Sequence, residues 1–247
     1  MFVGKPAFSE LSGSGFNNVA IGYPVLNGVN LDQTAGVSHI AYLYTSNAND
    51  TLIATSTYAQ LFGAGFNNIA SNYSTVVGVN IDHTAGAIHG AALMGSSTVP
   101  NTFQGTSTYG LMYGTGFLNY ALQFTSVSAI GTGKSNDVAY LFGSAASDTF
   151  IATPAYGTLS GPTFNNIAYS FAQVYMYGTP GSTAYLFDSS GNDEFYGRAN
   201  YGVLTGTGFF NDAINFSTIV AISSAGGIDT LDTAGLNYTF QKIGNWH

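Results

Sequence analysis

The apolar residues of this chain fall in short clusters separated by Gly, Ser, Asn and Asp, which is a β pattern. In the stretch 184–228, Leu186 marks a first strand, Phe195 a second, Tyr201 and Leu204 a third, and Ile219 with Ile222 closes the unit. The closing pair recurs as Leu26/Val29, Val76/Val79, Val127/Ile130 and Val174/Tyr177. No cluster keeps a helical period beyond about two turns, so the predicted class is all-β. One segment departs from this. In LNYTFQKIGNW (236–246), Phe240, Ile243 and Trp246 are three apart, predicting a short amphipathic helix that caps the fold.

Superimposed on the clusters is a longer repeat. A Gly-rich turn, then Phe, then Asn two residues later occurs in SGSGFNNVAIGY (12–23), GAGFNNIASNY (63–73), GTGFLNYALQF (114–124), GPTFNNIAYSF (161–171) and GTGFFNDAINF (206–216). The columns are Phe16, Phe66, Phe117, Phe164 and Phe209, and Asn18, Asn68, Asn119, Asn166 and Asn211. An aromatic follows each Phe by seven residues, from Tyr23 to Phe216, and another precedes it by eight, from Phe8 to Tyr201. A second marker, an AYLF-type strand, begins at Ala41, Ala91, Ala139, Ala184 and, more weakly, Asp229. It divides a single repeat domain, 1–247, into a partial repeat 1–40, repeats 41–90, 91–138, 139–183 and 184–228, and a partial repeat with cap, 229–247.

Two architectures accommodate such a period. A parallel β-solenoid (β-helix) of about five repeats would stack equivalent positions, with two rungs of about 22 residues in each repeat, and bury aromatic stacks. A five-bladed β-propeller would make each repeat a blade, closed by a C-terminal strand. The chain begins in mid-repeat and 229–240 match the missing opening, which suits ring closure or a head-to-tail contact between copies. In a solenoid the Asn and Phe columns are expected to form ladders, each amide bonding the next and the turn backbone, because buried polar groups must be satisfied.

Composition narrows the function. Charged residues are 6 % and net charge is −8 with only four Lys and Arg, which leaves almost nothing to bind a phosphate backbone or an anionic membrane. No apolar run is long enough to span a bilayer, and no signal peptide is read after Met1. There is no Cys, so disulfides and thiolate metal sites are excluded. Sequons at Asn49, Asn72, Asn215 and Asn237 permit glycosylation.

The turn SSGNDEF (189–195), with partial copies SNANDTL (46–52), SAASDTF (144–150) and AGGIDTL (225–231), resembles a degenerate form of the Gly/Asp nonapeptide repeat of RTX β-rolls. Over nearly its whole length the chain also resembles the Gly/Asp-rich arrays of very large secreted or surface proteins of planctomycete-type bacteria. That resemblance implies an extracellular or cell-surface structural part.

Candidate chemistry is sparse. Asp50, Asp148 and Asp193 form a column, with Asp188 and Asn192 beside the last, so a calcium site is expected, if anywhere, at Asp188, Asn192 and Asp193. The aligned positions in two repeats are Asn101 and Tyr238, and the turn role of a lone Asp is the competing reading. His39, His83 and His89 are expected to be solvated loop residues. Asp193 and Glu194 are adjacent in a turn and in a strand would face opposite ways, so with Arg198 alone beside them they form no convergent catalytic set. The expectation is a non-enzymatic extracellular structural protein that self-assembles head to tail into a fibre, surface layer or matrix. The alternatives are a glycan-binding module and, behind it, a polysaccharide-active enzyme.

Overall fold

The computed structural model describes residues 8–13, 16–21, 25–32, 34, 37–46, 49–84, 86–144 and 148–247, with side chains described from Val25 onward. Its regular structure is entirely β, and among the described residues there is no helix. The first strands are β1 (Phe8–Gly13), β2 (Phe16–Ile21), β3 (Val25–Val29), β4 (Ile40–Tyr44), β5 (Thr51–Ala54), β6 (Tyr58–Gly63), β7 (Phe66–Ser71), β8 (Thr75–Val79) and β9 (Gly90–Met94). They continue as β10 (Thr102–Gly105), β11 (Tyr109–Gly114), β12 (Phe117–Leu122), β13 (Ser126–Ile130), β14 (Val138–Phe142), β15 (Thr149–Ala152), β16 (Tyr156–Ser160), β17 (Asn165–Tyr169) and β18 (Gln173–Tyr177). The last are β19 (Thr183–Phe187), β20 (Glu194–Arg198), β21 (Tyr201–Gly206), β22 (Phe209–Ile214), β23 (Thr218–Ser223), β24 (Thr230–Thr233) and β25 (Thr239–Gly244).

The chain winds as a β-solenoid of about five turns, the first of the two expected architectures and not the propeller. It divides into two compact units, residues 1–100 with 108–129, and residues 101–107 with 130–247. In the first unit one sheet runs β2-β1-β4-β8-β12-β11 and the other β9-β5-β6-β7-β3. In the second unit one sheet runs β10-β14-β18-β22-β21-β20-β24 and the other β25-β23-β19-β15-β16-β17.

Each repeat adds a feature beyond a plain parallel coil. In 41–90, β4 lies in one sheet, β5, β6 and β7 form an antiparallel meander in the other, and β8 returns to pair in parallel with β4. The Gly-Phe-Asn signature is the second hairpin of that meander. Gly65, Gly116 and Gly208 hold φ of +86°, +88° and +84° at its tip, a conformation that glycine adopts without steric cost. The glycine two residues earlier is needed for space instead. A Cβ on Gly206 would collide with Asp193 Oδ1 and come 2.7 Å from the Phe209 ring, and Gly63 stands in the same way to Asp50 and Phe66.

The strands alternate buried and half-exposed positions, so each sheet has one core face. Large and small residues complement one another across the core: the Leu52 side chain occupies the space a Cβ on Gly78 would need. The buried rings of Phe103 and Phe150 meet the aromatics that follow the signature, Phe103–Phe171 at 6.3 Å and Phe150–Phe216 at 4.6 Å, edge to face in the second pair.

The C-terminal segment is a strand, not the expected helix. β25 pairs in parallel with β23 over six residues, and Phe240 stacks on Phe195 with centroids 4.9 Å apart. Ile243, three residues on, is 54 % exposed, so the three-residue spacing does not define one buried face.

Candidate functional site

The Asn column is buried, with Asn68, Asn119, Asn166 and Asn211 each 1–2 % exposed, but it forms no ladder of successive amides. The chain changes sheet three times per repeat. Three is odd, so the next repeat starts on the opposite sheet, and Asn166 on β17 and Asn211 on β22 belong to different sheets of the second unit. Each amide reaches across the core instead. Asn119 Nδ2 donates to Thr55 O at 2.9 Å, Asn166 to Thr106 O at 2.7 Å and Asn211 to Thr153 O at 3.1 Å. The Thr is itself fixed in its turn: Thr55 Oγ1 accepts from Thr57 and Tyr58 amides, and Thr153 Oγ1 from those of Ala155 and Tyr156. Phe66, Phe117, Phe164 and Phe209 are buried under their hairpins, each against its own turn glycine. The side chains of Asn18 and Phe16 lie outside the described residues.

The Asp column is also buried. Asp50, Asp148 and Asp193 each accept the backbone amide of a serine four residues earlier, Ser46, Ser144 and Ser189, at 2.6 Å, and its hydroxyl as well. This is the turn role. At Asp50 burial pushes the carboxyl above its ordinary 3.8, while the Ser46 amide and hydroxyl pull it down.

A second polar column stands at the residue just before a strand, and its burial carries no signal in the sequence. It comprises His39, His89, Asp137, Ser182 and Asp229, all 3 % exposed or less. Three of its members accept the backbone amide of the Asp column or its equivalent: His89 Nδ1 from Asp50, Asp137 Oδ1 from Asn101 and Asp229 Oδ1 from Asp193. His39 and His89 are therefore not solvated loop residues. With Nδ1 an acceptor, His89 carries its proton on Nε2, which faces Asp82 Oδ2 at 3.2 Å, and His39 faces Asp32 at 3.3 Å. Hydrogen bonds from Thr84, followed by those from His89, hold the Asp82 carboxyl below its usual range. His83 is exposed, as expected.

In the last turn the two columns converge. Asp188, Asp193 and Asp229, all buried, place carboxylate oxygens within 4.8 Å of one another. The donors reaching them are neutral: the amides of Ser224 and Ala225 on Asp188, Ser189 on Asp193, and the Asp193 amide with the Ser223 hydroxyl on Asp229. Three buried carboxylates with no cation paired to them among the described residues make an oxygen donor set suited to a hard divalent ion. Of the expected ligands, Asp188 and Asp193 come together. Asn192 does not join them: its Oδ1 accepts the Ile228 amide at 2.8 Å on an exposed turn. Asp229, which completes the trio, is 36 residues beyond Asp193, too far for any local motif to reveal.

Glu194 is exposed, on the opposite face of β20 from buried Phe195, and Arg198 is turned to Asp232 at 2.6 Å. No protein-family model, characterised protein or solved structure matches this chain.

Proposed function

We propose that the chain is a structural β-solenoid of an extracellular or surface assembly, that copies associate through the free edge of β25, and that the last turn binds calcium. The observation that supports it best is where the repeated polar residues go. The Asn, Asp and Thr columns bond to backbone within the coil, giving a stiff repeat whose inner polar groups are directed at architecture. Residues 229–240, read in the sequence as an opening for another copy, pair with their own chain through β20 and β23. The tail bonds further along β24, Leu231 donating its amide to His247 O and His247 donating to Asp229 O. β25 is then the edge from which a contact would propagate, and Ile243 is the apolar group exposed there.

For calcium the same positions in other turns are informative. Where the last turn has Asp188, Asp193 and Asp229, others have Thr45, Asp50 and His89, or Gly143, Asp148 and Ser182. The fold is built without the extra carboxylates, which leaves a cation as their use. Light scattering and negative-stain electron microscopy test both parts. Concentration-dependent filaments that shorten in Ile243→Lys support the association, and monomers at every concentration refute it. Calcorimetric titration with calcium should give heat that Asp229→Asn abolishes; no heat in the unmutated chain refutes the ion.

A further inference from the structure

The second unit carries an aromatic face that its core does not use. Register across the sheet puts Tyr140, Tyr175, Asp212, Val203 and Tyr196 in one outward row. Phe142 and Tyr177 lie beside it, and Phe210 precedes Asp212 by two residues. The rings form a comb along the sheet, Tyr140–Tyr175 at 5.4 Å, Phe142–Tyr177 at 4.9 Å and Tyr175–Phe210 at 5.6 Å. The rings are all half-exposed, while Val203 in the row is buried. Contiguous aromatic surface left at the face of a sheet marks an interaction site.

Within this comb stands a second feature. Among the described residues, Asp212 Oδ1 is the one buried side-chain polar atom without a hydrogen-bond partner. A desolvated acceptor left unsatisfied is costly, and a donor brought by a ligand offsets that cost. The residue as a whole is half-buried at the surface of the sheet while Oδ1 itself is covered, so a ligand hydroxyl reaches that oxygen by shifting the rings beside it.

We propose that this face binds an uncharged polysaccharide, its C–H surfaces lying on the ring comb and a hydroxyl donating to Asp212. The row crosses successive strands at a near-constant spacing, which fits an extended polymer of repeating units better than a compact small molecule. Charge selects against an acidic polymer: on β20 the Arg198 guanidinium is paired with Asp232, and the row itself presents the Asp212 carboxylate.

The test measures depletion of the full chain from solution by microcrystalline cellulose and by chitin, with polygalacturonate as acidic control. Cellulose or chitin should retain the protein and polygalacturonate should not. Tyr175→Ala and Asp212→Ala should each weaken retention about tenfold, as loss of a central contact does. Tyr185→Ala, on the outer face of the other sheet, should leave it unchanged. Asp212→Ala removes a group for which the fold supplies no donor, so it keeps the protein folded, as circular dichroism would verify, where Tyr175→Ala fails to fold. The proposal is overturned if neither neutral polymer retains the chain, if polygalacturonate retains it equally, or if a folded Asp212→Ala binds like the parent. Self-association abolished by Tyr175→Ala would also overturn it, by making a second copy the occupant.

Discussion

Asp212→Asn should stabilise the protein at neutral pH, and only there. Burial raises the Asp212 carboxyl from 3.8 to about 6. Between those values the folded protein holds a proton that the unfolded chain has released. The contribution of this group is therefore fully present below about pH 4, is lost as pH rises, and is gone above about pH 6. A rise of about two pH units corresponds to about 3 kcal/mol if the site were fully dry. The residue is half-buried and not dry, and solvent screening reduces the penalty to about 1–2 kcal/mol. Asparagine keeps the shape and cannot ionise. The variant should match the parent near pH 3.5 and exceed it by about 1–2 kcal/mol at pH 7.5, or by roughly 2–8 °C in Tm. Urea unfolding of both proteins at steps from pH 3.5 to 8 measures the difference, in which the other carboxylates cancel. A difference independent of pH, or a variant less stable at pH 7.5, would refute a desolvated carboxylate at this position.

Other consequences of the packing are as open to measurement. Gly206→Ala drives a methyl into Asp193 and the Phe209 ring and should cost about 3 kcal/mol or more, whereas Gly208→Ala, at φ +84° in open space, should cost about 1–2 kcal/mol; urea midpoints rank the two, and equal losses would contradict the close approach. Gln123 and Ser170 hold φ of 59° and 56° at the corners leaving the meander, so Gln123→Gly and Ser170→Gly should each raise stability by up to about 1 kcal/mol, read as a higher Tm. Asn211→Ala removes the donor to Thr153 O inside the core and should destabilise by about 1–3 kcal/mol, with the Thr153–Tyr156 turn losing hydrogen-exchange protection first.

The repeat was legible because its strongest constraints are local. A glycine with no room for a methyl and a Phe packed against it fall within four residues, so the sequence restates them at 63, 114, 161 and 206, and three of these turns add a φ near +85°. The direction of the Asn amides was not legible, since it depends on how often the chain changes sheet in a repeat. The clusters in 184–228 suggested four strands, but Phe209–Ile214 forms a fifth, and that strand turns an expected coil rung into a meander. The C-terminal cap was misread because a three-residue spacing of Phe240, Ile243 and Trp246 imitates a helix. In the structure Phe240 faces Phe195 while Ile243 faces outward. The two buried histidines had no sequence signal beyond equivalence to each other. Only the long-range bond from the Asp50 amide to His89 explains why an acceptor is wanted there.

The inner polar positions thus obey two different rules. At 119, 166 and 211 an asparagine recurs because the task needs a donor of one length to cross the core to a fixed carbonyl. At 39, 89, 137, 182 and 229 the residue varies between His, Asp and Ser, and in three of these turns it accepts an amide from the neighbouring turn, which many side chains can do. A permissive position is where charge can change without altering the fold. That is where the last turn differs, placing Asp229 against Asp193 and Asp188. The mutual repulsion of three buried carboxylates is a cost that the acceptor role alone does not require, since Ser182 occupies the same place one repeat earlier. Asp229→Ser should for this reason stabilise the calcium-free protein and remove any stabilisation by added calcium. Thermal unfolding with calcium and with chelator separates the two effects. A variant destabilised equally in both would mean that Asp229 acts only as an acceptor for the Asp193 amide.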